Sequence, residues 1–460
     1  MSLCIVEPAN GCVTFGHLLQ LEIESCEVPF VDYSYDVYLN NVNIPVVWRN
    51  LPWKNRKFCE LPKNLNVGSH TIKVVKTSAI CRDEDETSFL ISNYLTAVVS
   101  ISKKLMAAVK RNNPPNKLAW DWSEGLFLEG CVRLEKVIHN DLTYVSTYAI
   151  DYHNVWQERG IPTINKSDSC VSGLSATSLL DVGNISGYSS LKQISSYIDV
   201  APRNSAGTLN HLGNACINWF YPRSIWVDSL MMYGVLAVRF GAKDDNQKLL
   251  NFGLEQVEIF SDKLQDPTVS LWRHAWLEQF NHTIPETETY WLRGNGWALA
   301  SIAEMMDYVP PTSQRRLRFL EIFTKTLDSL LLLQQDNGLW DSVANIPGYT
   351  YPETSGSLLV AYAIARGVKN GWLDTKYLDV VYRVINSISS RIAYDKNYPD
   401  IIALHGISGP TNAGPRWLYG TIEEEENALY GVGIYFMLCA ELLLLERDRL
   451  TDMSDYYVNF

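Results

Sequence analysis

The chain has 460 residues, of which 47% are apolar, 12% aromatic and 20% charged, and its formal charge is -12. The acidic balance argues against a surface that neutralises the phosphates of a nucleic acid or an anionic membrane, and the apolar content argues against disorder. No run of about 18 uninterrupted apolar residues predicts a membrane span. The first residues, MSLCIVEPANG, lack the basic and apolar regions of a secretory signal, so we expect a cytoplasmic protein.

Nine cysteines are present, and five of them fall within the first 81 residues. The other four are scattered singly, without a CxxC pair or a His at the spacing of zinc ligands, which argues against a zinc site. We expect reduced, buried thiols and no bound metal.

Up to about Leu95 the sequence has the period of strands. Alternation is seen in LEIE at 21–24, in Val37–Leu39 before the turn residues Asn40 and Asn41, and in GSHTIKV at 68–74. Several short strands predict a small antiparallel β-sandwich, and GSHTIKVV is similar to a late strand of bacterial immunoglobulin-like modules. We therefore predict an immunoglobulin-like accessory domain over residues 1–95.

An acidic run, DEDE at 83–86, lies near the end of this predicted domain. It is interpreted as a solvated loop, with calcium binding as the alternative.

Beyond Thr96 the apolar residues follow a helical period to the end of the chain. For example, Val98, Ile101 and Leu105 share one helix face. About 365 residues divide into roughly twelve helix-plus-loop units, which suits six helical hairpins closed into a double ring. A helical solenoid would give similar units. Residues 96–460 are therefore predicted to form one mainly helical domain.

Several loop-to-helix junctions carry groups suited to chemistry. In WVDSLMM at 226–232, Trp226 and Asp228 could present an aromatic wall and a carboxylate to one cavity, or Asp228 could cap the helix. Asp168, in NKSDSCVSG at 165–173, precedes another helix, and His274 stands beside an aromatic residue in HAW.

Two further junctions contain Arg293 and Glu353. Arg293 lies between two Trp residues in WLRGNGW at 291–297, a combination suited to an acidic sugar ring because Arg matches a carboxylate and Trp stacks on a ring. The alternative is core packing for the Trp residues and a structural ion pair for Arg293. Glu353, in YPETSG, is interpreted first as a helix cap and second as a ligand contact.

Taken in order, motifs along the chain resemble the series found in unsaturated rhamnogalacturonyl hydrolases, glycoside hydrolase family 105, which is related to the unsaturated glucuronyl hydrolases of family 88. The segments are WDWSEGLFLEGCVRL, WVDSLMM, HAW, YWLRGNGWALA, QQDNGLWDS, YPETSGSLLVAYAIARGVKNGWL and GVGIYFMLCAEL. The resemblance implies an (α/α)6 barrel over residues 96–460 and no metal or organic cofactor.

The resemblance also implies a reaction at a 4-deoxy-4,5-unsaturated uronic acid. Asp228 would protonate C4 while an activated water adds at C5, and the resulting hemiketal would collapse and release the rest of the oligosaccharide. Such a carboxyl group needs a raised pKa, which a dry aromatic setting supplies. Asp168 would be the second catalytic carboxylate, holding sugar hydroxyls and orienting the water. The implied substrate-binding residues are Trp122, His211, Trp226, His274, Arg293 and Trp297, with Trp122 as a stacking platform.

Two departures from the family pattern concern the subsite. Leu212 stands where many relatives have Lys, so the positive charge facing the substrate carboxylate would rest on Arg293. Residues 207–210, GTLN, lack the usual aromatic residue, which leaves the leaving-group specificity open.

The predicted function is a glycoside hydrolase that removes an unsaturated uronic acid from the non-reducing end of lyase-generated oligosaccharides, first of all of the rhamnogalacturonan type found in pectin. The alternatives are a family 88-like activity on unsaturated glycosaminoglycan or ulvan fragments, and a non-catalytic glycan-binding protein on the same barrel. The expected partner is the unsaturated oligosaccharide, with no nucleic acid and no membrane.

Overall fold

The computed structural model describes residues 94–139, 144, 147–213, 222–394 and 402–449, together with the earlier segments 3–7, 12–15, 20–25, 34–46, 49–51, 56–60, 68–78 and 82–92. The chain divides into two compact units, one of residues 1–108 and 382–405, the other of residues 109–381 and 406–460. The predicted boundary at residue 95 stays a prediction. Strand β9 ends at Ser92 and the first helix begins at Tyr94, so the change of period does mark a change of structure.

The N-terminal strands form two sheets, and the predicted small β-rich segment is therefore present. In the first sheet the order is β1 (Leu3–Glu7), β3 (Gln20–Ser25), β7 (Arg56–Glu60) and β6 (Arg49–Leu51), all antiparallel. In the second the order is β2 (Cys12–Phe15), β9 (Arg82–Ser92), β8 (Gly68–Thr77), β4 (Ser34–Leu39) and β5 (Val42–Ile44), with β2 parallel to β9. Asn40 and Asn41 take positive φ angles of 49° and 67° and form the two-residue turn between β4 and β5.

The acidic run 83–86 lies within β9, so its interpretation as a loop was wrong. In the antiparallel register with β8, Asp83 is opposite Lys76 and Glu86 is opposite Lys73. Lys73 Nζ lies 2.8 Å from Glu84 Oε1, and an ion pair between two neighbouring strands favours their pairing.

The second unit is mainly helical, as predicted. Six of its helices alternate in sequence with the others: α2 (Trp122–Ile138), α4 (Ser172–Leu180), α6 (Leu236–Lys243, preceded by the π-helical segment Leu230–Val235), α8 (Leu292–Met305), α10 (Thr354–Lys369) and α13 (Leu429–Arg449). The others in the chain are α1 (Tyr94–Asn112), α3 (Thr147–Arg159), α5 (Tyr188–Val200), α7 (Gln247–Leu264), α9 (Gln314–Leu331), α11 (Leu378–Ser390) and the short α12 (Arg416–Tyr419).

The six alternate helices form a closed ring. Helix α2 packs on α4, α4 on α6, the π-helical segment on α8, α8 on α10, α10 on α13, and α13 returns to α2. We call these six the inner helices. Because the ends of a solenoid do not meet, the solenoid alternative was wrong.

Two glycines allow the ring to close. A Cβ atom on Gly130 of α2 would lie 2.2 Å from the carbonyl oxygen of Gly433, and a Cβ on Gly433 of α13 would lie 2.4 Å from the carbonyl oxygen of Leu126. No other residue type fits so close an approach of two helix backbones.

Short strands interrupt the helical part. The strands β10 (Ser224–Trp226), β11 (Ala275–Leu277) and β12 (His282–Ile284) form an antiparallel sheet. Two further pairs are β13 (Ile392–Tyr394) with β14 (Ile402–Leu404), and β15 (Ile407–Ser408) with β16 (Glu424–Glu425). None of the helices within the described ranges is long and apolar enough to cross a membrane. Cys131, Cys170 and Cys439 are buried, as expected of isolated cysteines.

A buried ion-pair network begins on α2 and links α4 and α6. The Glu129 carboxylate accepts hydrogen bonds from Arg133 Nε at 2.6 Å, from Arg239 Nη1 at 2.7 Å and from Ser178 Oγ at 2.8 Å. Although burial alone would raise it, the charges of Arg239 and Arg133 hold the pKa of Glu129 below its usual range. The carboxylate therefore stays ionised without contact with solvent.

The same network continues through α8, α10 and α13. Arg133 Nη1 lies 2.7 Å from Glu304 Oε1, and the Tyr362 hydroxyl donates a hydrogen bond to Glu304. Arg366 Nη1 donates a hydrogen bond to Glu441 at 2.5 Å. Although burial would raise it, Arg133 and Arg366 hold the pKa of Glu304 well below its usual range. All six inner helices thus contribute to one network.

We expect Glu304→Gln to lower the free energy of unfolding by about 3–5 kcal/mol, because it leaves Arg133 and Arg366 buried without their shared counter-charge. The measurement is urea unfolding at neutral pH. The control is Glu321→Gln, since Glu321 forms exposed ion pairs with Lys325 and Arg318 and should change stability little. Because the pKa of Glu304 is depressed in the folded state, its contribution to the free energy of unfolding is present above the usual Glu pKa. The contribution is lost as pH falls from that value toward the depressed pKa. Equal unfolding midpoints for both variants would contradict the structural role of the network.

Candidate active site

Strand pairing brings two of the sequence motifs together. Trp226 of β10 is in register with Ala275 of β11, and the backbone N–H of Val227 donates to the carbonyl of His274 at 2.9 Å. On the other side of β10, the His211 N–H donates to the carbonyl of Ser224 at 3.2 Å. The motif containing Asp228 is therefore held between segments that lie far apart in the sequence.

A small, polar cavity of about 100 Å³ lies at the start of the inner helices. Seven of the eight predicted site residues line it, and His274 does not. The lining residues are Trp122, Asp168, His211, Trp226, Asp228, Met232, Trp291, Arg293, Trp297, Pro410, Thr411 and Asn412.

Asp228 is one of the two Asp residues that line the cavity, and its side chain is 15% exposed. The π-helical segment that follows it has no side-chain cap, and within the described ranges Asp228 Oδ1 accepts no hydrogen bond. Burial raises the pKa of Asp228, as does the charge of Asp168, while His211, the Ser229 N–H and Arg293 act in the lowering direction. The raised pKa favours the protonated form of this carboxyl group, which lines the cavity.

His211 is positioned against this acid. Its Nδ1 lies 2.8 Å from Ser229 Oγ and 3.6 Å from Asp228 Oδ1, and its ring stacks on Trp226 with centroids 4.4 Å apart and an angle of 8°. The Ser229 hydroxyl that contacts His211 also accepts a hydrogen bond from Ser167 Oγ at 2.9 Å, which fixes the position of that hydroxyl. The imidazole therefore has a fixed orientation beside the carboxyl group.

Asp168 lies in the short 3-10 helix that precedes α4, and Lys166 Nζ is 3.2 Å from its Oδ2. Both side chains are partly exposed, 20% for Asp168 and 38% for Lys166. Sequence reasoning assigned no role to Lys166, although it stands two residues before Asp168. It is a second cation close to the cavity, besides Arg293.

Arg293 is buried, and its guanidinium group holds a loop. Nη1 donates to the Ser408 carbonyl at 2.6 Å and Nη2 to the Gly409 carbonyl at 2.9 Å, with Thr411 Oγ1 at 3.3 Å. The guanidinium carbon lies 4.8 Å from the centroid of the Trp291 ring. Arg293 also lines the cavity, while its Nη groups fix the loop that supplies Pro410, Thr411 and Asn412. This loop is called the roof loop, residues 408–412.

Glu353 supports the same loop from α10. Its carboxylate accepts hydrogen bonds from the N–H groups of Ser355 and Gly356 and, at 2.9 Å, from the N–H of Ser408. The prediction that Glu353 caps a helix is confirmed. The cap also anchors the roof loop, which the local sequence pattern does not indicate.

His274 lies behind the cavity wall and does not line the cavity. Its ring stacks on Trp291 at 4.2 Å and meets Trp226 edge-on at 5.2 Å, and its Nδ1 is 2.8 Å from the hydroxyl of Tyr419. Burial, with the charges of His211 and Arg293, holds the pKa of His274 well below its usual range. The neutral His274 ring therefore packs behind Trp226 and Trp291, two residues of the cavity wall. The predicted contact of His274 with substrate stays a prediction.

Several lining residues were missed from the sequence. Met232 and Trp291 stand within motifs that carry predicted site residues, so their position in those motifs was an available signal. The roof loop carried only the turn residues of GPTN, which occur in many loops. Residues 207–210, by contrast, do not line the cavity; Asn210 there accepts the Ser224 N–H at 3.0 Å and so positions β10.

The location of the cavity also has an electrostatic consequence. Trp122, Asp168, Asp228 and Arg293 lie in the first turn of inner helices or just before them. Helix N-termini carry partial positive charge, which favours an anionic ligand. Within the described segments no group of three or more His, Cys, Asp or Glu residues is arranged to hold a metal ion.

The chain resembles curated enzymes over more than half of its length. It is 28% identical over 268 residues, 56% of this chain and 73% of the relative, to an unsaturated rhamnogalacturonyl hydrolase of Bacillus subtilis. It is 24% identical over 345 residues, 71% of this chain and 85% of the relative, to an unsaturated 3S-rhamnoglycuronyl hydrolase of Formosa agariphila.

Solved structures share the fold. A possible member of family GH105 from Klebsiella pneumoniae matches with a TM-score of 0.65 and 20% identity, over 75% of this chain and 93% of that chain. An unsaturated glucuronyl hydrolase from Bacillus sp. GL1 matches with a TM-score of 0.60 and 15% identity, over 76% and 96%. The model of glycosyl hydrolase family 88 matches residues 98–445, which confirms the resemblance drawn from the motifs. The chain therefore belongs to glycosyl hydrolase family 88, and the protein is a glycoside hydrolase.

Proposed function

We propose that the protein removes a 4-deoxy-4,5-unsaturated uronic acid from the non-reducing end of oligosaccharides produced by polysaccharide lyases, with rhamnogalacturonan-type fragments as the first candidates. The names of the curated relatives support this class, since each acts on an unsaturated uronide. The observation that carries the proposal is the Asp228 carboxyl group, which lines the cavity, is largely buried and has a raised pKa.

In the proposed reaction Asp228 acts first as an acid. Its proton is transferred to C4 of the enol-ether double bond, and a water molecule adds at C5 while returning a proton to the carboxylate. The product is a hemiketal that opens and releases the leaving sugar. One group with a raised pKa therefore performs both steps, unlike the two carboxylates that ordinary glycosidases use at the anomeric carbon.

Asp168 and His211 are proposed to position the substrate and the water. Both line the cavity beside Asp228, and His211 is held by Ser229 and by stacking on Trp226. The carboxylate oxygens of Asp168 can accept hydrogen bonds from sugar hydroxyls, and the charge of Asp168 acts to raise the pKa of Asp228.

The substrate carboxylate is proposed to lie toward Arg293. Although the chain as a whole has a charge of -12, the cavity itself has Arg293 in its wall, Lys166 beside Asp168 and the N-termini of inner helices around it. This local concentration of positive potential supports the binding of an acidic sugar by an acidic protein. Trp122, Trp226 and Trp297 are proposed to contact the ring.

A glycan-binding protein without catalysis is less well supported. Such a protein has no use for a carboxyl group kept protonated by burial, because a hydrogen-bonded, ionised carboxylate would bind sugar hydroxyls equally well.

The helical unit and the N-terminal sheets each suggest a known architecture. We propose that the alternation of inner helices with α1, α3, α5, α7, α9 and α11 represents an (α/α)6 barrel. The two N-terminal sheets support an immunoglobulin-like sandwich, for which structural support of the chain is the simplest role.

Purified protein is expected to consume lyase-digested rhamnogalacturonan, with loss of the ultraviolet absorbance of the conjugated double bond, and Asp228→Asn should lower kcat at least a hundredfold. Because the buried, ionised form of Asp228 is disfavoured, the variant should unfold at the same or a higher temperature at neutral pH. Asp199→Asn, at a surface ion pair with Lys248, is the control and should retain activity. No loss of absorbance with any unsaturated uronide would refute the proposed function, and near-normal turnover by Asp228→Asn would refute the assignment of the acid.

The pH profile of kcat/KM should fall on its alkaline side as Asp228 loses its proton, at a pH above the usual pKa of an Asp. Asp168→Asn should move this alkaline limb to lower pH, because the charge of Asp168 helps raise the pKa of Asp228. The profile of Asp199→Asn is the reference. An unchanged limb in Asp168→Asn would show that the two carboxyl groups are not coupled.

A further inference from the structure

Two serines stand at the starts of helical segments without capping them. Ser167 precedes the 3-10 helix that contains Asp168, and Ser229 precedes the π-helical segment, yet neither side chain makes a capping hydrogen bond. Both residues are buried. A serine at such a position usually accepts a hydrogen bond from an N–H group of the first helical turn. The two hydroxyls are therefore available for other partners.

The hydroxyls form a chain that ends on His211. Ser167 Oγ donates to Ser229 Oγ at 2.9 Å, and Ser229 Oγ lies 2.8 Å from His211 Nδ1. A hydroxyl has one proton to donate, and the Ser229 oxygen already accepts a hydrogen bond from Ser167. Among the described residues His211 is its other hydrogen-bond neighbour, so the Ser229 proton is directed at Nδ1.

The packing of His211 holds this nitrogen in place. The imidazole stacks on the Trp226 ring with centroids 4.4 Å apart. The backbone is held on both sides, since the His211 N–H donates to the Ser224 carbonyl at 3.2 Å and the His211 carbonyl accepts the Ser167 N–H at 2.9 Å. Ser167 thus fixes His211 both directly, through the backbone, and through the hydroxyl chain.

The protonation of Nδ1 matters because Asp228 is next to it, with Oδ1 at 3.6 Å. Burial raises the pKa of Asp228, whereas the charge of His211 acts to lower it. A proton on Nδ1 would favour an ion pair with an ionised Asp228, and the acid would then have no proton to transfer. A nitrogen that accepts a hydrogen bond from Ser229 carries no proton, so the proton of a neutral His211 ring lies on Nε2.

Other titratable groups around Asp228 do not contact this nitrogen. The charge of Asp168, which pairs with Lys166, acts with burial to raise the pKa of Asp228, and Arg293 acts to lower it. His274 is neutral, because burial and neighbouring charges hold its pKa well below its usual range. The roof loop and β10 carry no titratable side chain. Within the described ranges, the hydroxyl chain is therefore the contact that decides the state of Nδ1.

We propose that Ser167 and Ser229 form a relay that keeps Nδ1 of His211 unprotonated. The transferable proton then stays on Asp228, and the proton of the neutral imidazole stays on Nε2. Neither serine is among the residues that line the cavity, so both are positioning residues that act through His211. The relay rests on the proposed function, since it takes Asp228 as the acid.

The first test is the pH profile of kcat/KM. Ser229→Ala should move the alkaline limb to lower pH, because Nδ1 can then take up a proton and pair with an ionised Asp228. A shift of about one pKa unit would lower kcat/KM above the limb roughly tenfold. Ser229→Cys, which keeps a weak S–H donor, should shift the limb less. Ser167→Ala should also shift it less, because Ser229 keeps its hydroxyl and loses only the donor that orients it.

Ser301→Ala is the matched control. Ser301 is buried in α8, and its Oγ has no hydrogen-bond partner among the described residues, so this truncation should leave the pH profile unchanged. If Ser229→Ala does not fold, Ser229→Cys and Ser167→Ala provide the same comparison.

The second test reads the protonation of the imidazole without turnover. In protein labelled with ¹⁵N-histidine, the His211 signals are assigned by their loss in His211→Gln. In wild-type protein at neutral pH, Nδ1 should have the chemical shift of an unprotonated nitrogen and Nε2 that of an N–H group. In Ser229→Ala the Nδ1 signal should move toward that of a protonated nitrogen, and in Ser301→Ala it should not move.

The two tests separate the relay from the proposed function. No turnover of any unsaturated uronide, together with the expected Nδ1 signals, would refute the proposed function and retain the relay. A protonated Nδ1 in wild-type protein, or an Nδ1 signal that does not respond to Ser229→Ala, would overturn the relay whatever the activity. Equal pH profiles for Ser229→Ala and Ser301→Ala in an active enzyme would also overturn it.

Discussion

The buried ion-pair network inside the ring is the constraint on which the helical unit depends. Charged groups lose their hydration in a protein interior, so Glu129, Glu304 and Glu441 are tolerable there only with guanidinium partners at hydrogen-bond distance. Because the partners come from different helices, the network is satisfied in one arrangement of the ring and not in others. The close approach of α2 and α13 at Gly130 and Gly433 completes that arrangement.

The same helices carry the network and the cavity at different depths. Residues of the cavity stand in the first turn of an inner helix or just before it, and residues of the network lie about two to three turns further along. Arg293 and Glu304 of α8 are one such pair. A ring whose register is set by ion pairs therefore also sets the spacing of the groups around Asp228, although none of those pairs touches the cavity.

The two regions use similar residue types in opposite ways. Glu304 has several cationic partners and a depressed pKa, whereas among the described residues Asp228 Oδ1 has no hydrogen-bond donor and the pKa of Asp228 is raised. Pairing with cations keeps a buried carboxylate ionised, and burial with incomplete pairing favours the protonated form of a carboxyl group. Arg293 and Glu353 contribute to both regions, since their hydrogen bonds to Ser408 hold the roof loop that lines the cavity.

From sequence alone, periodicity predicted the mainly helical part and the N-terminal strands, and short motifs located seven residues of the cavity, including Asp228 and Trp226. These features are local, because they depend on residues a few positions apart. Three others depended on packing between distant segments: the place of His274 behind the wall, the hydrogen bonds of Arg293 to the carbonyls of the roof loop, and the position of the acidic run 83–86 opposite lysines of β8. For example, the carbonyl groups that accept hydrogen bonds from Arg293 belong to residues more than a hundred positions further along the chain. Such distant partners decide which polar groups are hydrogen-bonded and which are not. The sequence by itself therefore identified the candidate residues, and the tertiary structure decided which of them line the cavity and which carboxyl group has a raised pKa.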